Sequence, residues 1–333
     1  MLWEADPAPL PAPMRNGQGA LPVGARTTVA ALLIVGAVAC AACGSGSRSD
    51  GESGTVASAL DDDAVTVASF DFPESELLAE IYGRALESAG FEVRYELALG
   101  PREFVHPALA RGLIELVPEY AGTALRFASL GATEPTDHVR TTVAALDATL
   151  REQELLALEP APAQDANTVV VTQGLAARHT LDEISDLEPV ADRLTFGGPP
   201  GCPDRPHCLA GLEATYGLDF AQFLPLDVGG PLTHQALTGG HVDVALLFTT
   251  DPRIVDNELV ELADDRGLQP AENVTPVVRR EVVERWGDRF VDAVDAVSAR
   301  LTTDGLRSLN ARVVAGAEPG QVADDWLRAE DLA

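Results

Sequence analysis

The stretch Gly201–Cys208, "GCPDRPHC", places two cysteines and a histidine around one arginine. This set suits three kinds of chemistry: metal binding, thiol–disulfide exchange, or a cross-linked loop that holds Arg205 in place. A tetrahedral zinc site needs four ligands, and His207 with one cysteine pair does not supply them. The choice between the other two depends on the compartment in which this segment works.

The N-terminal sequence indicates export. Arginines precede an apolar run, Thr27–Ala39, that is too short to span a bilayer comfortably and has the layout of a secretory signal. The run ends at cysteines followed by "GSGSRSDGESG", which resembles the lipobox of a bacterial lipoprotein. We expect Cys43 to be lipidated, with Cys40 as the alternative and a plain signal or anchor as the third possibility. Translation starts at either Met1 or Met14.

Export has a consequence for the two later cysteines. Outside the cytoplasm cysteines pair rather than bind metal as thiolates, so we expect a disulfide between Cys202 and Cys208. Cys40 and Cys43 match a redox C-x-x-C spacing, but they lie in the export signal and not beside a βαβ unit. The sequence therefore predicts no metal site and no cofactor.

The charge balance excludes several kinds of partner. The chain has 52 acidic and 23 basic residues, a net charge of −29, and every basic residue is arginine. Such a charge opposes binding to nucleic acid or to an anionic membrane surface. We expect contact with the membrane only through the lipid anchor, and a monomer with a soluble, salt-tolerant surface.

Strands and helices alternate along the chain from Ala64 onward. Short β-rich runs alternate with apolar residues at helical spacing, and the first helix pattern stops at Gly90. The rhythm restarts at Asn167 and predicts a second α/β unit. Strands separated by helices predict mostly parallel sheets with helices on both faces, and two such units in series create a crevice suited to a ligand.

Several segments, in this order and spacing, are similar to one protein family. The resemblance runs from about Val65 to the C-terminus, and its most specific part is "ELVPEYAGTAL". The other segments are "VASFDFPESELLAEIY", "CPDRPHCLAGLEATYGL", "DVGGPLTHQALTGGHVDVALLFTTDPRI" and "LVELADDRGLQPAENVTPVVRREV". They resemble the substrate-binding proteins of ABC importers for glycine betaine, choline and carnitine, the osmoprotectant family.

The resemblance implies a two-lobed type II periplasmic-binding-protein fold, in which each lobe is a mostly parallel sheet flanked by helices and the ligand cleft lies between them. We expect a signal peptide with lipobox over residues 1–43, a flexible tether over 44–63, a first lobe over 64–166, a second lobe over 167–273, and a return segment to the first lobe over 274–333.

The resemblance also implies site residues. A quaternary ammonium cannot donate a hydrogen bond, so aromatic faces hold it, and family members use tyrosines for the cation and an arginine for a carboxylate. Tyr120 in "PEYAGT" matches a ring of this tyrosine box, and Thr123 matches a carboxylate hydrogen bonder. Arg205 matches the family arginine, and closing the Cys202–Cys208 loop would fix its approach.

The chain departs from the family at other site positions. Phe248 replaces one box tyrosine, a second falls near Glu272 or Asn273, and a third near Asn167 or Thr168. Phe70 replaces a lysine of the first strand-to-helix turn, so we expect Phe70 to form an aromatic wall and Phe72 to lie in the core. Asp71 and Glu74 are expected to cap the first helix, and Asp165 either forms a turn or lines the cleft.

The sequence thus predicts an extracytoplasmic, lipid-anchored receptor for a small zwitterion or cation, which it delivers to an ABC permease with its ATPase. An enzyme is disfavoured because the chain has no G-x-S-x-G elbow, H-E-x-x-H or phosphate loop. A ligand-binding sensory module, and an importer receptor for another small amine or amino-acid derivative, remain as alternatives.

Overall fold

Two five-stranded sheets organise the computed structural model, which describes residues 64–333. The predicted signal peptide, the tether and the lipidation site Cys43 lie outside these described residues. Within them, no helix has the length and apolar character needed to cross a membrane.

The first sheet has the strand order β2-β1-β3-β10-β4, and the second has the order β7-β6-β8-β5-β9. The strands are β1 (Ala64–Ala68), β2 (Glu92–Glu96), β3 (Leu116–Tyr120), β4 (Leu155–Ala157), β5 (Asn167–Thr172), β6 (Thr195–Gly198), β7 (Gln222–Pro225), β8 (Val244–Phe248), β9 (Leu259–Leu262) and β10 (Val274–Arg279).

Both sheets are mixed, because one strand in each runs against its neighbours. Strand β10 is antiparallel to β3 and β4, and β5 is antiparallel to β8 and β9. The remaining neighbours, β1 with β2 and β3, and β6 with β7 and β8, are parallel. The two reversed strands are those by which the chain enters the second sheet and returns to the first.

Helices cover both faces of each sheet. They are α1 (Pro73–Ser88), α2 (Arg102–Ala110), α3 (Ala121–Ala128), α4 (Val139–Arg151), α5 (Gln173–His179), α6 (Leu209–Tyr216), α7 (Pro231–Thr238), α8 (Arg253–Asp256), α9 (Arg280–Trp286), α10 (Asp288–Ser298), α11 (Thr303–Val314) and α12 (Pro319–Ala329). Helix α1 begins at a proline, whose fixed φ suits the first helical position, and the chain turns away at Gly90 with φ +83°.

The alternation of side chains along the strands divides the apolar residues between the two faces of each sheet. In β10, Val278 packs with Tyr82 and Phe290 beneath α1 and α10, whereas its neighbour Val277 packs with Leu146 on the opposite face. Successive strand residues point to opposite faces, which explains this division. The α/β class predicted from the sequence is confirmed, with two mixed sheets flanked by helices.

Candidate functional site

A cavity of about 510 Å³ lies between the two sheets. Its volume falls within the range of about 300–1,000 Å³ found for small-molecule sites. The first sheet's side contributes Phe72, Arg102, Tyr120, Thr123 and Arg126; the second sheet's side contributes Asn167, Arg205, His207, Gly229 and Phe248; the crossing segments contribute Asp165, Gln269 and Glu272.

Tyr120 ends β3 and lines this cavity, as the sequence predicts for its position. The side chain is nearly buried, and its hydroxyl donates a hydrogen bond to Oε1 of Glu74 at 2.6 Å. Burial and the neighbouring Glu74 carboxylate raise the pKa of the Tyr120 phenol well above its usual value. The ring is therefore a neutral aromatic surface whose orientation is fixed by a buried carboxylate.

Glu74 has a different role from the helix cap that its position suggested. Phe72 occupies the N-cap of α1, and the α1 N-terminus has no side-chain cap hydrogen bond. The Glu74 carboxylate is buried and accepts hydrogen bonds from Tyr120 and, at 2.5 Å, from Nδ2 of Asn310 on α11. The capping prediction for Glu74 is therefore corrected: its side chain points inward, behind the cavity wall.

The expected positions of Phe70 and Phe72 are reversed. Phe70 is only 2% exposed and packs in the core, whereas Phe72 lines the cavity. The two rings stack with centroids 5.9 Å apart, and Phe72 lies 6.2 Å from the Tyr120 ring. The reason is local: β1 ends at Ala68, and the Phe70 amide donates to the Ser75 hydroxyl at 2.9 Å, so the turn directs Phe70 inward.

Arg102 was not predicted from the sequence but forms part of the cavity wall. It makes a bidentate pair with Glu119, with Nε 2.9 Å from Oε1 and Nη2 2.8 Å from Oε2. Its guanidinium also lies 4.9 Å from the centre of the Phe70 ring. Because Glu119 is buried and accepts from both Nε and Nη2, the charge of Arg102 is already balanced by a protein carboxylate.

Arg205 is the cavity arginine without an acidic partner among the described residues. It follows a short helical turn, Cys202–Asp204, and its side chain is exposed. It forms no ion pair with its neighbour Asp204. By contrast, Arg126 at the same cavity forms an ion pair with Glu134. The loop thus presents an unpaired guanidinium to the cleft, which suits a ligand carboxylate.

The predicted disulfide is confirmed, since Cys202 and Cys208 are bonded with their Cα atoms 5.2 Å apart. Both cysteines are buried, whereas the arginine between them is exposed. The loop is also held from outside, because the His207 carbonyl accepts hydrogen bonds from Asn167 and Gln269 at 3.3 Å each. The position of Arg205 is therefore set by covalent and hydrogen-bonded contacts.

Removing this cross-link by the double substitution Cys202→Ala/Cys208→Ala should lower the free energy of unfolding by about 2 kcal/mol, since the closed ring is short. Ligand affinity should fall several-fold, because a freer Arg205 loses more entropy on binding. Denaturant unfolding and calorimetric titration measure the two effects. Reduced wild-type protein is the matched control, because it lacks the bond but keeps both sulfur atoms, and it should show the same two effects. Unchanged stability and affinity in the double variant would contradict a role for the disulfide in holding Arg205.

Phe248 ends β8 and lines the same cavity as Phe72 and Tyr120. The chain passes very close to this ring at Gly229, where φ is +60° and an added Cβ would lie 3.0 Å from the Phe248 ring. A larger residue at Gly229 would be strained in its backbone and would press on the ring. The glycine therefore allows the loop before α7 to support the aromatic wall.

Glu272 and Thr123 both line the cavity, and they bind each other. The Thr123 amide and hydroxyl donate to the Glu272 carboxylate at 3.0 Å and 2.7 Å. Burial raises the pKa of Glu272, while the bonds from Thr123 oppose that change. The hydroxyl predicted to hold a ligand carboxylate therefore holds a protein carboxylate in this structure.

Two other predicted positions turn away from the cavity. Asn167 lines it, but the next residue of β5, Thr168, is buried and does not, because strand neighbours point to opposite faces. Asn273 is also buried, and its amide donates to the Ala161 carbonyl at 2.9 Å, tying the two crossing segments together. Thr168 and Asn273 are thus corrected from cavity residues to framework residues.

Comparison with known proteins places the chain in a family. A family model described as the substrate binding domain of ABC-type glycine betaine transport system matches residues 63–329. The glycine betaine-binding protein YehZ of Escherichia coli strain K12 is 28% identical over 268 residues, covering 77% of this chain and 87% of the relative. A glycine-betaine-binding protein of Pseudomonas aeruginosa is 28% identical over 274 residues, covering 78% and 86%.

Solved structures support the same fold. The crystal structure of a glycine betaine/carnitine/choline ABC transporter aligns with a TM-score of 0.75 at 22% identity, covering 80% of this chain and 99% of that one. Apo YehZ from Escherichia coli aligns with a TM-score of 0.70 at 26% identity, covering 81% and 99%. Such proteins bind solutes for transporters outside the cytoplasm and are not enzymes. The chain belongs to the family of substrate-binding domains of ABC-type glycine betaine transport systems.

Proposed function

We propose that the protein is a lipid-anchored receptor that captures a quaternary-ammonium osmoprotectant between its two lobes and delivers it to an ABC permease. The observation that carries this proposal is the distribution of side chains in the cavity. Phe72 and Tyr120 lie on one side and Phe248 on the other, while the unpaired Arg205 lies near the second sheet. Aromatic faces suit a cation that donates no hydrogen bond, and the guanidinium suits a carboxylate.

This arrangement also supports a mechanism of closure. A ligand that contacts both sides binds the closed arrangement better than the open one, and therefore shifts the population toward closure. In this proposal residues 64–166 and 274–333 form the first lobe and residues 167–273 the second, so that Asp165 and Glu272 lie at the crossings. A permease would then distinguish the closed, loaded receptor from the open one.

A second candidate is an importer receptor for a larger amine that also donates hydrogen bonds. The observation that favours it is the pair of carboxylates, Asp165 and Glu272, on a cavity whose aromatic lining consists of Phe72, Tyr120, Phe248 and the imidazole of His207. A carboxylate accepts hydrogen bonds, which a trimethylated ammonium cannot supply. The two candidates share the cation and differ in whether its head group carries N–H or O–H donors.

A thermal-shift panel on the purified full chain separates these candidates. We expect a quaternary amine to give the largest rise in melting temperature among glycine betaine, choline, carnitine, proline betaine, ergothioneine and ordinary amino acids. Ligand at about 1,000 times its Kd stabilises the folded state by about 4 kcal/mol. Ordinary amino acids are the panel members whose ammonium group carries N–H donors, so the largest rise with one of them would favour the second candidate. No rise with any member of the panel would contradict both candidates.

A further inference from the structure

Two acidic side chains, the buried Glu74 and the half-buried Asp165, lie on either side of Thr250 at the cavity wall. Glu74 on α1 is bonded to Tyr120 and Asn310, while Asp165, on the segment that crosses between the sheets, lines the cavity. Between them lies Thr250, whose hydroxyl donates to Oδ1 of Asp165 at 2.8 Å and also interacts with Glu74. The three residues come from three distant parts of the chain and meet where the sheets are joined.

A single hydroxyl, that of Thr250, links the two carboxyl groups. The Thr250 hydroxyl carries one proton and can donate it to only one carboxylate at a time. If Glu74 and Asp165 were both ionised, they would repel each other, and the burial of Glu74 weakens the screening of that repulsion by water. A proton held by one carboxyl, or a cation close to the pair, would relieve this repulsion.

The charged groups around the pair do not supply that cation. In the described part of the chain, each of the arginines on the neighbouring elements bonds to another acceptor. These pairs are Arg102 with Glu119, Arg253 with Asp251, and Arg307 with Glu261 and the Thr249 carbonyl. His234 bonds to Asp251, and the other acidic group on the crossing segments, Glu272, adds further negative potential at Asp165.

Burial and like charge both favour the protonated form. Burial raises the pKa of Asp165 well above its usual range, and the charge of Glu74 raises it further, against the opposing bond from Thr250. Burial likewise raises the pKa of Glu74, while its bonds from Thr250, Tyr120 and Asn310 lower it. Because the two titrate together, the proton belongs to the pair rather than to either carboxyl.

We propose that Glu74 and Asp165 share one proton through Thr250 in the ligand-free protein, and that a cationic ligand head group entering the cavity displaces this proton into solvent. The step is balanced in charge, because one positive charge enters as one leaves. The inference rests on the proposed function, since it requires a cation as the ligand. Beyond that function, the site would select cations over neutral molecules, because the pair gains a negative charge only when a cation displaces its proton.

The displaced proton gives the affinity a defined pH dependence. When a complex forms with release of one proton, the affinity rises about tenfold for each pH unit. This rise should begin above the pKa of an ordinary carboxyl, about 4, and level off once the ligand-free pair has lost its proton. Affinity should therefore increase with pH and become constant at high pH.

Calorimetric titration of the full chain with glycine betaine tests this directly. Titrations between pH 5 and 8, in buffers with different heats of ionisation, report both the affinity and the number of protons released. We expect up to one proton released per ligand in the window where affinity rises, and none where it is constant. Binding that is independent of pH and releases no proton would overturn the proposal while leaving the proposed function intact.

Variants separate the pair from other carboxyls. Glu74→Gln removes the like charge that raises the pKa of Asp165, while burial still raises it, so the affinity should become constant at a lower pH than in the wild type. Thr250→Val keeps the side-chain shape but removes a bond that stabilises the ionised form, so the midpoint of the profile should move to higher pH. Glu213→Gln, on the exposed face of α6, is the matched control and should keep the wild-type profile. A wild-type profile in Glu74→Gln would overturn the proposal.

A ligand-free measurement tests the shared proton even if no quaternary amine binds. A carboxyl pair with a raised pKa binds more protons in the folded than in the unfolded state, so its contribution to stability is lost as pH rises from the unfolded to the folded pKa. The free energy of unfolding of the wild type should therefore fall, relative to that of Glu74→Gln, as pH rises above about 4. A constant difference between the two proteins would overturn the shared proton independently of the ligand.

Discussion

Replacing Tyr120 by alanine should weaken the binding of a quaternary amine by a factor of about 30 or more. The ring is one of the cavity's aromatic faces, and a desolvated cation–π contact contributes about 2 kcal/mol, a factor of about 30 in affinity. The substitution also removes the hydroxyl bonded to Glu74 and leaves a void in the core of the first lobe. Such a void costs about 3–5 kcal/mol of stability, so binding must be measured at a temperature where the variant is folded.

Two conservative variants show which part of Tyr120 matters. Tyr120→Phe keeps the ring, so affinity at pH 8 should stay within about threefold, while stability falls by about 1–3 kcal/mol because Glu74 loses a donor. Tyr82→Phe removes a fully buried hydroxyl that lies 3.0 Å from Ser298 in the same core but does not line the cavity. It should lower stability without changing affinity. Unchanged glycine betaine binding by Tyr120→Ala would contradict the aromatic site.

Residues at strand ends explain why part of the site was predictable. Tyr120 and Phe248 are the last residues of β3 and β8, and motifs in the sequence locate these strand ends within about one residue. Ligands of open α/β sheets bind outside the ends of the strands, so both rings are found on the cavity. Arg205 could also be predicted because the two cysteines define the loop that carries it.

The wrong predictions concern side chains whose direction changes when the end of a strand is displaced by one residue. Phe70 and Phe72 follow the end of β1, and the turn that places Phe72 outward depends on a bond from the Phe70 amide to Ser75. Asn167 and Thr168 are neighbours in β5 and necessarily face opposite sides. A sequence pattern fixes the existence of such elements more securely than their exact ends.

The acidic pair could not have been found from the sequence. Glu74 and Asp165 are 91 residues apart, and Thr250 lies a further 85 residues along the chain. In the sequence each residue type is ordinary for its place: Glu74 in the first turn of a helix, Asp165 in a turn, and Thr250 after the end of a strand. They come together only where the two sheets are joined. The electrostatic coupling of the two carboxyl groups can be recognised only from their hydrogen bonds in the folded structure.

Replacing Arg205 by alanine should weaken binding of glycine betaine by about 2–3 kcal/mol, a factor of about 30–150, because the ligand carboxylate loses charge-assisted hydrogen bonds. Choline, which has no carboxylate, should change by less than about threefold. Since the Arg205 side chain is exposed, the free energy of unfolding should stay within about 0.5 kcal/mol. Isothermal titration of both ligands, with chemical unfolding, measures these effects.

A second cavity arginine, Arg126, and a conservative variant of Arg205 provide the controls. Arg126 also lines the cavity but is paired with Glu134, so Arg126→Ala should affect glycine betaine and choline alike and weakly. Arg205→Lys keeps the charge but loses the planar fork, and should recover only part of the lost affinity. If Arg205→Ala weakened choline as much as glycine betaine, the guanidinium would act through general electrostatics or loop structure, and the carboxylate of the ligand would have to be bound elsewhere.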